Sequence, residues 1–167
     1  IEIEMKTPIT HIHFIVNPIS GTSDKKKLAQ YVKDKLDPLN IEWQMVYTEH
    51  ANHATSLAFE SIAQGADCIV AVGGDGTINE VAQTLVNQPV ALGIIPSGSG
   101  NGLARHLGIP LSMEKAIDTL TKGNCQTIDT GTVNNRAFFC TSGVGFDASV
   151  SHRFADLPNR GLLNYIR

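Results

Sequence analysis

From Cys68 to Val81 the chain reads CIVAVGGDGTINEV. An apolar, β-branched run empties into three glycines around one aspartate and continues as a helical polar–apolar pattern. Glycines let the backbone approach an anion closely, and a helix starting behind them supplies N–H groups and a partial positive charge. This is the layout of a phosphate cradle. Asp75 adds chemistry to it, because a carboxylate there repels phosphate unless it acts through a metal ion or a proton transfer. The stretch therefore predicts a phosphoryl-transfer site centred on Asp75.

Two further turns carry similar donors. Asn17-Pro18-Ile19-Ser20-Gly21 follows the run ITHIHFIV (9–16), and Pro96-Ser97-Gly98-Ser99-Gly100-Asn101-Gly102 follows VALGII (90–95). Neither glycine loop ends in the Gly-Lys-Ser/Thr of a Walker A motif. The dinucleotide-binding fingerprint also fails, with Leu103 after Gly98 and Gly100, and Asn79 after Gly74, where a third Gly or Ala is needed.

The elements that must hold these turns alternate. Strands are predicted at 9–16, Ile41 to Tyr47, Asp67 to Val72 and Val90 to Ile95. Helices are predicted from an Asp24 cap to Leu36, over Ala54 to Gln64, over Thr77 to Val86, around Leu103 to Leu107, and from a Ser112 cap to Lys122. Leu28, Val32 and Leu36 share one face of the first, Leu57, Ala58 and Ile62 are available for packing on the second, and Gly65 and Gly123 act as stops. Such alternation implies a doubly wound, mostly parallel α/β sheet with helices on both faces. Ligands of such sheets bind beyond the carboxyl ends of the strands, where all three turns would lie. Near residue 124 the pattern changes. Short β segments, Thr127 to Thr132 and Ala137 to Thr141, flank a hairpin turn at Asn134-Asn135, and Gly143-Val144-Gly145-Phe146-Asp147 follows. The expected division is an α/β domain over 1–123 and the beginning of a β-rich domain over 124–167.

Composition narrows the function. The 167 residues are 42% hydrophobic, enough for one ordinary core, and the net charge of -3 gives no field for nucleic acid. The run Lys25-Lys26-Lys27 reads as a solvated helix start. Cys68, Cys125 and Cys140 lack metal-site spacing and fit reduced thiols in a cytoplasmic protein. His11 with His13, and His50 with His53, lack a third ligand and read as structural. No apolar run approaches the ~20 residues of a membrane span. The chain starts at Ile1 and stops in the amphipathic LLNYIR, so a fragment is expected.

Together, four stretches resemble one family. VGGDGT (72–77) followed by Asn79-Glu80-Val81 is similar to the GGDGT signature of diacylglycerol kinase catalytic domains and their lipid-kinase relatives, a form shared with NAD kinases and phosphofructokinases. NPISG (17–21), PSGSGN (96–101) and GVGFDA (143–148) resemble the NPxSG, PxGTxN and GxGFDA stretches of the lipid kinases. The resemblance implies an NAD kinase/phosphofructokinase-like domain followed by a β-sandwich, with ATP between them. It implies nucleotide contacts from Asn17, Pro18, Ser20, Gly21, Thr48, Gly73, Gly74, Gly76, Thr77, Asn79, Glu80, Gly98 and Ser99. Asp75 would be the catalytic acidic residue, acting through Mg²⁺ and its waters or on the substrate hydroxyl, with Asp147 on the magnesium–water network and Arg160 near the phosphates.

The implied reaction is ATP- and Mg²⁺-dependent transfer of the γ-phosphoryl group to a lipid hydroxyl, by a cytoplasmic enzyme in transient, peripheral contact with a membrane. A homodimer is compatible with it. Gly102 stands where bacterial diacylglycerol kinases usually carry Asp. The SGSGN form is closer to sphingosine kinases, yet Ser149 and Ser151 stand where those carry an acidic residue. A diacylglycerol-like and a sphingoid-like acceptor thus both stay open. So do a soluble-substrate kinase, such as an NAD kinase, and a nucleotide-binding module without catalysis. The family's late general-base glutamate is expected beyond Arg167.

Overall fold

Every position of the strand leading into GGDGT is buried, and that fact organises the architecture. The computed structural model describes residues 8–21, 27–122, 124–143, 145, 148 and 149. Four strands, β1 (His11–Val16), β2 (Glu42–Tyr47), β3 (Cys68–Gly73) and β4 (Ala91–Pro96), form one sheet in the order β2-β1-β3-β4. All three neighbouring pairs are parallel. A strand covered on both faces needs apolar residues at every position, so β3 reads as a continuous run without alternation. Edge strand β2 is half-exposed and tolerates Glu42 and Gln44.

The helices are α1 (Leu28–Leu36), α2 (His53–Ala63), α3 (Asp75–Leu85), α4 (Gly102–His106) and α5 (Met113–Thr121). Phe14, Val16, Val70 and Val72 pack under α1 and α5 through Leu28, Val32, Leu36, Ala116 and Ile117. Ile15, Ile69, Ala71 and Ile94 pack on the opposite face under α2, α3 and α4, against Ala54, Ala58, Ile78, Val81 and Leu103. The fold is therefore a doubly wound α/β sheet. Its direction of winding reverses between β1 and β3, which opens a crevice at their carboxyl ends.

Several boundaries differ from the sequence expectation, each for a local reason. Asp67 precedes β3 rather than opening it. Its buried carboxylate accepts the Thr10 and His11 N–H groups and the Thr10 hydroxyl at 2.9–3.0 Å, tying the chain's entry to the sheet. On α2 the fully buried positions are Ala54, Ala58 and Ser61, while Leu57 and Ile62 are only partly covered, because small residues let α2 lie close. Ser112 stands at the N-cap of α5 without a side-chain capping bond. The hairpin strands β5 (Gly131–Val133) and β6 (Arg136–Phe138) are shorter than expected. Asn134 and Asn135 form the turn at φ 49° and 60°, the left-handed region that Asn tolerates. The expected Asp24 cap and Gly123 stop lie outside the described residues. Among the described residues no helix is long and apolar enough to cross a membrane, and no three ligating side chains gather at one point.

His13 faces the α2 side of the sheet, where its ring bonds Gln44 at 2.7 Å. Burial, and after it the neighbouring His11, hold its pKa below the ordinary value of 6.5. The unfolded chain then binds more protons than the folded one below that value. Stability is expected to be full above about pH 6.5 and to fall as acid approaches the folded-state pKa. Thermal melts between pH 7.5 and 5 check this: His13→Gln should flatten the profile, and an unchanged profile would remove His13 as its source.

Candidate active site

Register brings the three turns together. Val16 is paired with Val72, Val72 with Ile95, and Gly73 with Pro96, so β1, β3 and β4 end level with one another. The ladder continues past the strands, with Asn17 N–H bonded to Val72 O and Ser97 N–H to Gly73 O at 2.9 and 2.8 Å. Thr48, after β2, joins this rim through its N–H on Val16 O at 2.9 Å.

Side chains then lock one turn to the next. Asn17 Nδ2 donates to Thr77 Oγ1 at 3.2 Å, and Asn17 Oδ1 accepts the Ile19 N–H at 3.1 Å. The Ser20 and Ser97 hydroxyls lie 3.2 Å apart, and Ser97 Oγ donates to Ser20 O at 3.0 Å. Gly21 has φ +60°, and a β-carbon on it would stand 1.9 Å from Ser97 O. Only glycine fits there. Gly74 and Gly98 meet backbone to backbone: a methyl group on Gly98 would lie 2.6 Å from Gly74 Cα.

Asp75 is the first residue of α3, not a loop residue, because Gly74 O accepts the Ile78 N–H at 3.0 Å and starts the helix earlier than its glycines suggest. A carboxylate in a first turn is favoured by the helix dipole. The side chain is exposed and reaches across the crevice. Its Oδ2 accepts the Asn101 N–H at 2.8 Å and its Oδ1 the Gly102 N–H at 2.6 Å. A β-carbon on Gly100 would stand 2.7 Å from Oδ2, so the 96–102 turn is glycine-rich where it wraps this carboxylate.

The structure thus gathers Asn17, Ser20, Gly21, Gly73, Gly74, Asp75, Thr77 and Gly98 at one rim, with Thr48 beside β1. Pro18, Gly76 and Ser99 lie exposed on the same turns, and Asn79 is half-buried on α3. Glu80 is directed elsewhere, its Oε2 accepting the Ala54 N–H at the start of α2 at 3.2 Å. Asp147 and Arg160 lie outside the described residues. Two contributors go beyond the sequence expectation. Asn101, buried at φ 56°, clasps Gly98 from both sides, accepting its N–H at 2.8 Å and donating to its carbonyl at 2.7 Å. Arg105 Nε donates to Gly100 O at 2.9 Å and brings a guanidinium to the third turn. The signal for Arg105 is its place one helical turn behind a glycine loop.

Residues 11–133 match the family model of the diacylglycerol kinase catalytic domain. The chain is 42% identical over 150 residues to a diacylglycerol kinase of Bacillus subtilis, covering 87% of this chain and 48% of that protein. It is 36% identical over 140 residues to one of Staphylococcus saprophyticus, covering 83% and 46%. The crystal structure of a diacylglycerol kinase from Bacillus anthracis superposes with a TM-score of 0.71 at 29% identity, covering 80% of this chain and 51% of that one. The chain spans about half the length of the curated relatives it matches or less. The GGDGT turn, the asparagine turn docked on it and the sheet that aligns them are all within the matched segment, and the chain belongs to the diacylglycerol kinase catalytic-domain family.

Proposed function

We propose that the chain is the nucleotide-binding part of a lipid kinase that moves the γ-phosphoryl group of ATP to a lipid hydroxyl, with Mg²⁺ as cofactor. Residues 1–123 are the ATP-binding α/β domain and residues 124–167 the first part of a β-rich second domain. One observation carries the reading most strongly. Three backbone turns rich in Gly and Ser converge at the switch point of a parallel sheet, and an oriented carboxylate stands between two of them.

In this reading the first turn of α3 receives the phosphates. Gly74 has no side chain with which to cap that helix, so its leading N–H groups and partial positive charge serve an anion. Asn17, Ser20, Gly21, Gly73, Gly76, Thr77, Gly98 and Ser99 line the approach, and Thr48 closes it beside β1. Pro18 and Asn79 shape the turns.

Asp75 fits a magnesium site. Mg²⁺ takes one or two carboxylates together with waters and phosphate oxygens, and each Asp75 oxygen keeps acceptor capacity beyond its one N–H bond. Asp147 is proposed as the second carboxylate, through water. The bound ion would neutralise charge that develops on the transferred group. The chain's own part is positional: the two N–H bonds fix the Asp75 carboxylate, and the clasped Gly98 turn holds the opposite wall. Glycerolipid is the favoured acceptor, because the Bacillus subtilis and Staphylococcus saprophyticus relatives matched over this segment are diacylglycerol kinases. Contact with the membrane is then peripheral.

The test is acceptor labelling with full-length protein and radiolabelled ATP. Diacylglycerol, sphingosine and NAD are offered separately in mixed micelles or buffer. Label in phosphatidic acid alone is the expected result. Label in NADP, or ATP bound without transfer to any acceptor, would replace the reading.

A further inference from the structure

Glu80 belongs to the GGDGTINE stretch but serves a different neighbour. Its carboxylate accepts the Ala54 N–H, and its main-chain carbonyl accepts the hydroxyls of Thr55 at 3.4 Å and Thr84 at 3.2 Å. Ala54 is in the first turn of α2. That helix has no side-chain cap of its own, since Asn52 before it sits at φ 64° without a capping bond, and its first turn holds no acidic residue. A carboxylate supplied from α3 satisfies one leading N–H group and faces the positive end of the α2 dipole.

What precedes α2 is the turn beginning at Thr48. At its upstream end Thr48 N–H is bonded to Val16 O. Inside it, Glu49 N–H donates to His53 Nδ1 at 3.1 Å, and the His50 and His53 rings stack at 4.6 Å between centroids. The downstream end is the start of α2, where Glu80 binds. The turn is thus held by β1 on one side and by Glu80 on the other.

We propose that Glu80 is a positioning residue: by clamping the start of α2 to α3 it fixes the Thr48–Asn52 turn at the rim and sets nucleotide affinity without touching the nucleotide. This rests on the assignment of Thr48 to the nucleotide site. It replaces the direct contact that the family motif suggests for Glu80 with an indirect one.

The experiment uses full-length protein and calorimetric titration with Mg·ATP. Glu80→Ala is expected to raise the ATP dissociation constant about tenfold, the loss of one charge-assisted hydrogen bond. Glu80→Gln keeps an acceptor oxygen and should recover most of the affinity. Thr48→Ala should weaken binding as well, and Glu80→Ala/Thr48→Ala should be no weaker than the more damaging single change, because both act through one turn. In nucleotide-free protein, amide exchange over residues 49–55 should quicken in Glu80→Ala and not in Glu80→Gln.

Additive losses in the double variant would mean that Glu80 meets the nucleotide directly, and wild-type affinity in Glu80→Ala would remove it from binding; either overturns the proposal. The lipid-kinase reading is scored separately. Wild-type protein that binds ATP but labels no lipid refutes that reading while the Glu80 result stands, and wild-type protein that binds no ATP ends both.

Discussion

Asp75→Asn is expected to lower phosphoryl transfer by about a thousandfold in the full-length enzyme, the scale seen when a preorganised electrostatic group is removed. The expectation follows from what the carboxylate does in the nucleotide-free fold. Both oxygens accept backbone N–H groups, from Asn101 and Gly102, so its orientation is fixed before any ligand arrives. An asparagine amide has one acceptor oxygen, and its NH₂ would face one of those two donors. The third turn loosens by one bond, about 1 kcal/mol at an exposed site, which leaves the sheet intact. The negative charge that would hold hydrated Mg²⁺ is lost altogether. The measurement is initial-rate transfer at saturating ATP and diacylglycerol, paired with a thermal melt. A melt within a few degrees of wild type with a collapsed rate is the expected pair. Turnover close to wild type would take Asp75 out of the mechanism and leave it as a latch between two turns.

How much of this is legible in the sequence depends on the range of the interaction. The Cys68–Gly73 strand is legible because burial on both faces demands an uninterrupted apolar run. The hairpin turn is legible because Asn134-Asn135 is a local preference for positive φ. Register is not, since it depends on which backbone ladders form; yet register is what levels Asn17, Gly73 and Pro96 and makes three turns into one rim. The start of α3 differs from expectation for a physical reason. Gly76 has poor helix propensity and reads as loop, but Gly74 O accepts the Ile78 N–H and pulls both Asp75 and Gly76 into the helix. The direction of Glu80 is not legible either, because adjacency in a motif says nothing of direction on a helix: five residues after Asp75, its carboxylate accepts the Ala54 N–H at the start of α2. Asn101 reads in sequence as one letter of a loop signature, whereas its two-sided clasp on Gly98 needs a left-handed residue that only the folded turn reveals.

Two glycines of the rim should separate folding from binding. Gly98→Ala places a methyl group 2.6 Å from Gly74 Cα and 3.1 Å from Asn101 Oδ1. The first neighbour is backbone and cannot swing aside, so the β3 and β4 turns must part. Overpacking of this kind costs about 1–3 kcal/mol, and parting the turns should weaken ATP binding by about a hundredfold or more, two lost donor contacts' worth. Among the described residues Gly76→Ala meets nothing within 4 Å, and it lies in the first turn of α3. There alanine is better than glycine by up to about 1 kcal/mol, so the melting point should hold or rise. Among the described residues nothing asks for glycine at 76. If the phosphates lie against that first turn, the same methyl group occupies their space, and ATP affinity falls although stability does not. Melts and Mg·ATP titrations on the two variants read both quantities. A Gly76→Ala protein that is at least as stable as wild type and binds ATP equally well would move the phosphates away from α3, and Gly74 and Thr77 would then have no part in holding them.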